Sequence, residues 1–447
     1  MSLAPLPNAQ PDCAPTIPDG NRAQRRWPTF SPFREALLAL LFSLTGMLAF
    51  IGRAVYLLVT RVLPRTVEVE TMRIAVLEMT TMATCALLLL PMFIFNLRAL
   101  QGKDETRLMI IPPLRWRYAL ALGILWVFTL CLGSLVTLIP ESGWMGTVPL
   151  LPLGVLLPLI LLVWTGAGGL LAISRRRFWS VSGFAIAGST ALAMAGEYLL
   201  LALGRGIGEL LWGKQPFWRG LIDQLGQQLE AATTPTEALD ALTPYLSNPW
   251  VIGALFLFAA CLVPLIEEAS KVSLLFWLGP RLASAGEGFA LGALCGAGFS
   301  LIEGMLATGA ATSLWGVGIL GRVSSSLMHV TVSALLGSAI AVAFRYRRRR
   351  QLVGTYLLSA GLHGLWNGTL IMAFYVALRI IALAPAVESN DMAAAIQVAL
   401  GGLLILLALS LLFALFVSGA VALPVLNASL RRKSQIESAD KTSPNVA

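Results

Sequence analysis

The chain contains 447 residues, of which 57% are hydrophobic and only 12% are charged. Because so few polar residues cannot cover a soluble globule, the composition predicts an integral membrane protein and excludes a water-soluble enzyme. The formal net charge of +9 would suit a nucleic-acid-binding protein. The positions of the basic residues, described below, indicate membrane topology instead, and no nucleic-acid partner is expected.

The sequence predicts an all-α, polytopic transmembrane helical bundle, because ten apolar runs can each cross a hydrocarbon core of about 30 Å. The predicted spans are residues 35–60, 74–97, 118–139, 149–173, 180–204, 249–278, 287–309, 321–344, 352–378 and 395–427. The first run is too long for the apolar region of a signal peptide, so it is predicted to remain as a span. The polar, proline-rich residues before it are predicted to be a disordered tail.

The basic residues predict the orientation of these spans. If the N-terminus is cytoplasmic, the inner segments carry 22 of the 32 Lys and Arg residues and the outer segments carry seven. The largest inner runs are Arg175 to Arg177, Arg345 to Arg350 and Arg431 to Lys433. This excess follows the positive-inside rule. We therefore expect a multi-pass membrane protein with both termini in the cytoplasm.

One long loop, residues 205–248, lies on the predicted outer face. Apolar residues recur in it at helical spacing, which predicts an amphipathic helix that lies on lipid headgroups or guides substrates. These residues are Trp218, Leu221, Ile222, Leu225 and Leu229. The predicted regions are a disordered cytoplasmic tail (1–30), a five-span region (31–204), this loop (205–248), a four-span core (249–378), a C-terminal span (379–430) and a cytoplasmic tail (431–447).

The four-span core carries an unusual set of charges within LIEEASKVSLLFW, residues 265–277. A charge at the centre of a membrane helix costs roughly 2.5 to 3.5 kcal/mol, so such residues are usually paired and often functional. Lys271 follows Glu267 by four residues and Glu268 by three, so it can lie over either carboxylate. Because one lysine cannot neutralise two carboxylates, a further partner is expected.

The two histidines of the chain, His329 and His363, are the candidate partners. At 1.5 Å per residue from the predicted cytoplasmic ends, the glutamates of 265–277, Glu303 and both histidines lie about 16 to 24 Å up. Residues on four successive spans thus converge at one depth. Arg322 lies two turns before His329 and could pair with Glu303 or anchor the outer interface. Asn367, four residues after His363, could orient the imidazole, bind a substrate carbonyl or bridge helices.

Two kinds of hydrolytic chemistry suit this set. A buried glutamate beside a second carboxylate can act as a base on water, with a histidine as proton donor. Alternatively, a divalent metal such as zinc, the one cofactor considered, could activate the water. The candidate ligands are Glu268, Glu303, His329 and His363. No HExxH pair is present, which excludes a conventional zincin site.

Four motifs in order resemble the PrsW family of intramembrane proteases, which is related to the CAAX prenyl protease and bacteriocin-immunity group. They are EEASK (Glu267, Glu268, Lys271), GFSLIE (Gly298, Phe299, Glu303), RVSSSLMH (Arg322, His329) and HGLWN (His363, Asn367). The resemblance covers residues 249–378. It implies a protease that cuts membrane-associated proteins and leaves open whether the mechanism is of the glutamate or metal type.

The leading hypothesis is therefore an intramembrane endopeptidase of a bacterial inner (plasma) membrane, whose partners are a membrane-protein substrate and the lipid bilayer. Glu267 or Glu268 would activate water, with His329 and His363 as proton donor, oxyanion stabiliser or metal ligands. Glu303 would be a third ligand or orient a histidine.

Lys271, Arg322 and Asn367 would act as substrate-orienting or supporting residues. Two other hypotheses remain open: a proton-coupled transporter, which predicts inverted repeats and broken helices, and a non-catalytic immunity or scaffold protein.

Overall fold

The computed structural model describes residues 32–64, 69–103, 108–139, 143–212, 248–310 and 315–442, with helical positions 224, 226–228, 231, 237 and 241 between them. These residues form twelve α-helices: α1 (Pro32–Leu57), α2 (Val69–Leu100), α3 (Trp116–Val136), α4 (Gly143–Ala167), α5 (Arg175–Gly183), α6 (Ser189–Trp212), α7 (Pro249–Phe256), α8 (Val263–Leu278), α9 (Ala285–Ala310), α10 (Trp315–Tyr346), α11 (Arg349–Glu388) and α12 (Met392–Thr442). Ten helical segments there are long and apolar enough to cross a membrane. The predicted all-α membrane fold with ten spans is confirmed.

Short π-helical segments make two of these spans continuous. Phe184–Gly188 joins α5 to α6, and Leu257–Leu262 joins α7 to α8. A π-helical turn bends the chain without exposing backbone groups to lipid, and such turns often occur at functional sites. The second of them leads directly into the charged segment of α8.

The described residues also contain a small antiparallel sheet at the predicted cytoplasmic end. Strand β1 (Leu108–Ile110) precedes α3 and pairs with β2 (Ala172–Ser174), which precedes α5. Met109 lies opposite Ile173 in this register. The sequence analysis did not predict either strand, because three residues carry too little periodicity to identify one.

Two sequence predictions concern residues outside the described part of the chain, namely the disordered tail at 1–30 and the amphipathic residues of the outer loop, Trp218 to Leu229. The predicted cytoplasmic tail at 431–447 is helical in its first part, since α12 continues to Thr442. No Gly or Pro occurs between residues 425 and 442, so nothing in the sequence ends the helix at the membrane surface.

Helices α9 and α10 form the centre of the bundle. In their most apolar windows 83% and 78% of residues are buried, compared with at most 39% in the other spans. The other helices surround this pair and present apolar side chains outward, as expected for a protein whose outer surface contacts lipid. Glu303 and His329 therefore lie on the two most enclosed helices.

Three glycines on one face of α9 allow this close packing. Gly288, Gly292 and Gly296 are spaced four residues apart, and each faces the backbone of α10. Gly292 lies against the carbonyl of Ser333, and Gly296 lies against that of His329. Because the helices touch through their backbones, the side chains next to these contacts are held at short distances from each other.

The substitution Gly292→Ala is expected to destabilise the protein by roughly 1 to 3 kcal/mol, since the added methyl group would overlap the carbonyl oxygen of Ser333. Thermal unfolding in detergent, followed by the loss of helical circular dichroism, measures the effect. Gly361→Ala on α11 is the matched control, because an added methyl group there meets open space. Equal melting temperatures for the two variants would show that the α9–α10 contact is less tight than described.

The first five spans pack directly onto the four-span core. Leu151 and Val155 of α4 belong to the same apolar cluster as Phe289 and Leu301 of α9. Gly298 of α9 faces Ala185 of the first π-helical segment. The N-terminal region thus contributes walls to the bundle that contains the charged residues.

Helix α12 closes the other side of the bundle. The Nδ2 atom of Asn427 donates hydrogen bonds of 2.8 Å to the carbonyl of Gly166 and 3.1 Å to that of Gly168, at the end of α4. These carbonyls have no partner within α4, so the amide of Asn427 satisfies them. The N-terminal five-span region and the last span are thereby joined.

Candidate active site

The start of α8 is held by α11. Pro264 has no N–H, so the carbonyls one turn earlier lack their usual helical donor. Asn367 Nδ2 donates a hydrogen bond of 3.1 Å to one of them, the carbonyl of Ala259. Gly364 lies close against the next carbonyl, that of Ala260. Of the roles considered for Asn367, helix bridging is the one that this hydrogen bond matches; its amide does not donate to His363.

A second contact from α11 lies one helical turn further along α8. The hydroxyl of Tyr356 donates a hydrogen bond of 2.7 Å to the carbonyl of Leu265. The sequence analysis did not identify Tyr356, although it precedes His363 by two turns and so lies on the same face of α11. Together with Asn367, it sets the rotation of α8 that aims the two glutamates inward.

Lys271 lies at the centre of the charged cluster. Its Nζ is 3.1 Å from Glu267 Oε2, 2.7 Å from Glu268 Oε1 and 2.7 Å from Nδ1 of His329. The ammonium also lies over the ring of Phe299, 4.3 Å from its centroid, in a cation–π contact. The lysine therefore contacts both carboxylates, as its spacing predicted, and one histidine in addition.

Glu268 orients His363. Its Nδ1 lies 3.0 Å from Glu268 Oε1, and its Nε2 lies 3.7 Å from Glu267 Oε2. An ionised carboxylate only accepts hydrogen bonds, so Nδ1 carries the proton and Nε2 presents a lone pair. A water molecule between Nε2 and Glu267 would find an acceptor on each side.

His329 is held on the opposite side by Glu303. Its Nε2 lies 3.0 Å from Glu303 Oε2, and the same oxygen lies 2.7 Å from Nη2 of Arg322. These are close ion-pair contacts rather than well-aligned hydrogen bonds. Because Nδ1 accepts from Lys271, the proton of a neutral His329 lies on Nε2. The pairing of Arg322 with Glu303, one of the two roles considered from sequence, is present.

The three carboxylates of the cluster differ in the exposed fraction of their side chains. The side chains of Glu268 and Lys271 are fully buried, and that of Glu267 is 12% exposed. Glu303 is the most open, with 37% of its side chain exposed. The cluster is thus least enclosed on the side of Glu267 and Glu303, and Glu267 is the less buried glutamate of α8.

The charges of the cluster do not balance. Three carboxylates, those of Glu267, Glu268 and Glu303, contact two permanently charged cations, Lys271 and Arg322. With both histidines neutral, one negative charge is left over. A carboxylate that acts as a general base takes up one proton, and this uptake would make the cluster neutral.

A group of side chains in the cluster could hold a metal ion. One ligand atom from each of Glu267, His329 and His363 lies within 4.8 Å of the others, and such oxygen and nitrogen ligands suit zinc. The metal ligands predicted from the sequence included Glu268 and Glu303 instead of Glu267. In the structure, Glu268 contacts His363 and Glu303 contacts His329, as residues that orient a histidine do.

The contacts of Lys271 determine whether these three side chains could hold a metal ion in the described conformation. Both nitrogens of His329 are engaged, one by the ammonium and the other by Glu303. The ammonium also contacts Glu267, so a dication would share two of its three ligands with a buried cation. The described conformation therefore fits a carboxylate, ammonium and imidazole network better than a metal centre.

The bundle and this buried cluster define a multi-pass membrane protein with an acid–base centre inside the membrane. Residues 235–389 match the family described as PrsW family intramembrane metalloprotease. The resemblance found in the four motifs is thus confirmed: the chain carries a PrsW protease region and is a membrane-embedded peptidase. No curated protein and no solved structure matches the chain significantly. The family match supports the peptidase hypothesis over the transporter and the scaffold.

Proposed function

We propose that this protein is an intramembrane endopeptidase that hydrolyses peptide bonds of membrane-associated proteins with a water molecule activated by Glu267. The observation that carries the proposal is the position of Glu267. It is the less buried member of the α8 pair, and its Oε2 lies 3.7 Å from the unprotonated nitrogen of His363. A water held between them would have its proton directed at a base and its oxygen free to attack.

The reaction follows from these contacts. Glu267 takes a proton from water while the water oxygen forms a bond to the scissile carbonyl carbon. Lys271, fixed beside Glu267, supplies positive potential for the negative charge that develops on the carbonyl oxygen. Glu267 then returns the proton to the amide nitrogen as the carbon–nitrogen bond breaks, which leaves a carboxylic acid and an amine. The acid then passes its proton to the amine, so the products leave as carboxylate and ammonium.

The remaining predicted residues have positioning roles in this proposal. Glu268 fixes the tautomer and orientation of His363, and Glu303 does the same for His329. Arg322 holds Glu303 at the open side of the cluster. Asn367 acts indirectly, because its hydrogen bond fixes the start of α8.

A divalent metal held by Glu267, His329 and His363 would supply a Lewis acid and a more acidic bound water. Because Lys271 engages two of these residues, we expect cleavage to resist metal chelators.

Metal content distinguishes the two mechanisms. We expect mass spectrometry of the detergent-purified protein to find the same low zinc content in the wild type and in a His329→Ala, His363→Ala double variant. Peptide cleavage should persist in EDTA or 1,10-phenanthroline. About one zinc per chain, lost in the double variant together with activity, would replace the glutamate mechanism by a metal mechanism. It would leave the peptidase assignment intact.

We also propose that both termini face the cytoplasm of a bacterial inner membrane. Three arginines from different predicted inner segments lie at one end of the bundle, where each contacts an acidic or carbonyl group. Arg177 pairs with Glu287 at 3.0 Å, Arg281 pairs with Glu35, and Arg345 donates a hydrogen bond of 2.6 Å to a loop carbonyl. Basic residues gathered at one end support the predicted orientation. Labelling of cysteines introduced into the 345–350 run, in intact and in opened cells, tests it.

A further inference from the structure

One acidic residue beside the cluster belongs to the N-terminal region and lies outside the PrsW match. Glu197 is on α6, which packs against α8 through Gly196. A Cβ added at Gly196 would lie 2.7 Å from the Cγ2 atom of Ile266, the residue that precedes Glu267. The α6 backbone thus contacts α8 at the residue next to the reactive glutamate.

The surroundings of Glu197 are acidic. Its carboxyl group is half-buried and interacts electrostatically with Glu267, Glu303 and Lys271. Within the described part of the chain, no hydrogen bond or ion pair reaches it. An unpaired carboxyl group is unfavourable within a membrane, so a residue of this kind is expected to have a function.

Glu197 increases the charge imbalance of the site. Four acidic side chains now share two cations, Lys271 and Arg322, and both cations already pair with Glu267, Glu268 or Glu303. The fully buried Oε2 atom of Glu268 also has no hydrogen-bond donor in the described residues. In the described residues Glu197 pairs with neither of the two cations, so a substrate can supply the positive charge that this carboxyl group lacks.

We propose that Glu197 is a specificity-determining residue that binds a lysine or arginine side chain of the substrate next to the scissile bond. The proposal rests on the function proposed above. A substrate cation at Glu197 would form a charge-assisted hydrogen bond and reduce the excess negative charge of the site. It would also place the adjacent peptide bond over Glu267, because α6 and α8 are in contact at this level.

Pairs of peptides test the assignment. A mixture of synthetic apolar peptides is digested with the purified protein, and the cut sites are identified by mass spectrometry. A cleaved peptide with an arginine within three residues of the cut is then remade with citrulline, which has the same shape and no charge. We expect the wild type to cleave the arginine peptide about tenfold faster than the citrulline peptide. This is the effect expected when a hydrogen bond to a charged group is lost. In Glu197→Gln the two peptides should be cleaved equally, at about the citrulline rate.

Glu78→Gln is the matched control. Glu78 is also an intramembrane carboxylate of the N-terminal region, but it pairs with Arg53 at 2.7 Å, away from the cluster. This variant should keep the preference for arginine. A Glu197→Gln variant that keeps it too, or a wild type that cuts without any basic residue nearby, would overturn the assignment.

A wild-type protein that cleaves no peptide would contradict the proposed function itself. Binding of the same arginine and citrulline peptides, measured by fluorescence anisotropy, then decides the role of Glu197 separately. Tighter binding of the arginine peptide that disappears in Glu197→Gln would support the cation site. Equal binding of both peptides by the wild type would exclude it.

Discussion

Replacing Glu267 by Gln is expected to lower the rate of peptide cleavage by a factor of roughly 10² to 10⁴, the usual contribution of a general base. The amide keeps the shape of the side chain but cannot take a proton from water. Because Glu267 is partly exposed and shares Lys271 with Glu268, the variant should fold and insert normally. Cleavage rates and helical circular dichroism, measured on the same preparation, check both parts.

Glu268→Gln is the informative comparison, since it also replaces a carboxylate by an amide, but at the neighbouring residue. Glu268 is fully buried and contacts Lys271 at 2.7 Å and His363 at 3.0 Å. Its loss should lower both activity and melting temperature, because it leaves a buried ammonium with a weaker partner. If Glu267→Gln retained wild-type cleavage while Glu268→Gln lost cleavage without any loss of stability, the roles proposed for the two glutamates would have to be exchanged.

The largest effect on stability is expected for Lys271→Met, at about 3 to 5 kcal/mol. The substitution removes the one cation that contacts both Glu267 and Glu268 in the described residues, and it leaves their carboxylates buried without neutralisation. Unfolding in detergent by heat or by a denaturing surfactant measures the loss. Cleavage should also disappear, since the ammonium stabilises the developing oxyanion.

A double variant separates the charge effect from simple loss of packing. Lys271→Met combined with Glu268→Gln removes both partners of the closest pair, so most of the lost stability should return while cleavage remains absent. If the double variant were as unstable as the sum of the two single variants, the lysine would act through packing against Phe299 and not through charge.

Much of the membrane fold could be predicted because the bilayer requires only that each spanning segment be long and apolar, which can be seen in a short stretch of sequence. A run of apolar residues of sufficient length must span, wherever it lies in the final bundle, so the ten spans were found from the sequence. The contacts of Lys271 with both glutamates were also accessible, since residues three and four apart share a helix face. The convergence of Glu303, His329 and His363 followed from equal depths along neighbouring spans.

Contacts that depend on how helices rotate and pack were not accessible from the sequence. The candidate metal ligands named from the sequence contained Glu268 and Glu303, whereas the group with suitably placed atoms contains Glu267. Two adjacent glutamates point about 100° apart on a helix, so only the rotation of α8 determines which one faces the open side. Pro264, Asn367 and Tyr356 set that rotation through contacts between α8 and α11.

The sequence by itself determined the class of protein, the number of spans, the family resemblance and the residues of the charged cluster, because hydropathy, charge and motif spacing are properties of the chain. The tertiary structure decided which atoms meet. It distinguishes Glu267, which is slightly exposed, from the fully buried Glu268 and from Glu303 at the opening, and it places Glu197 of a distant span near them. The reason is that side-chain partners across helices are set by close backbone packing, here at Gly196 and Gly296, which no local pattern encodes.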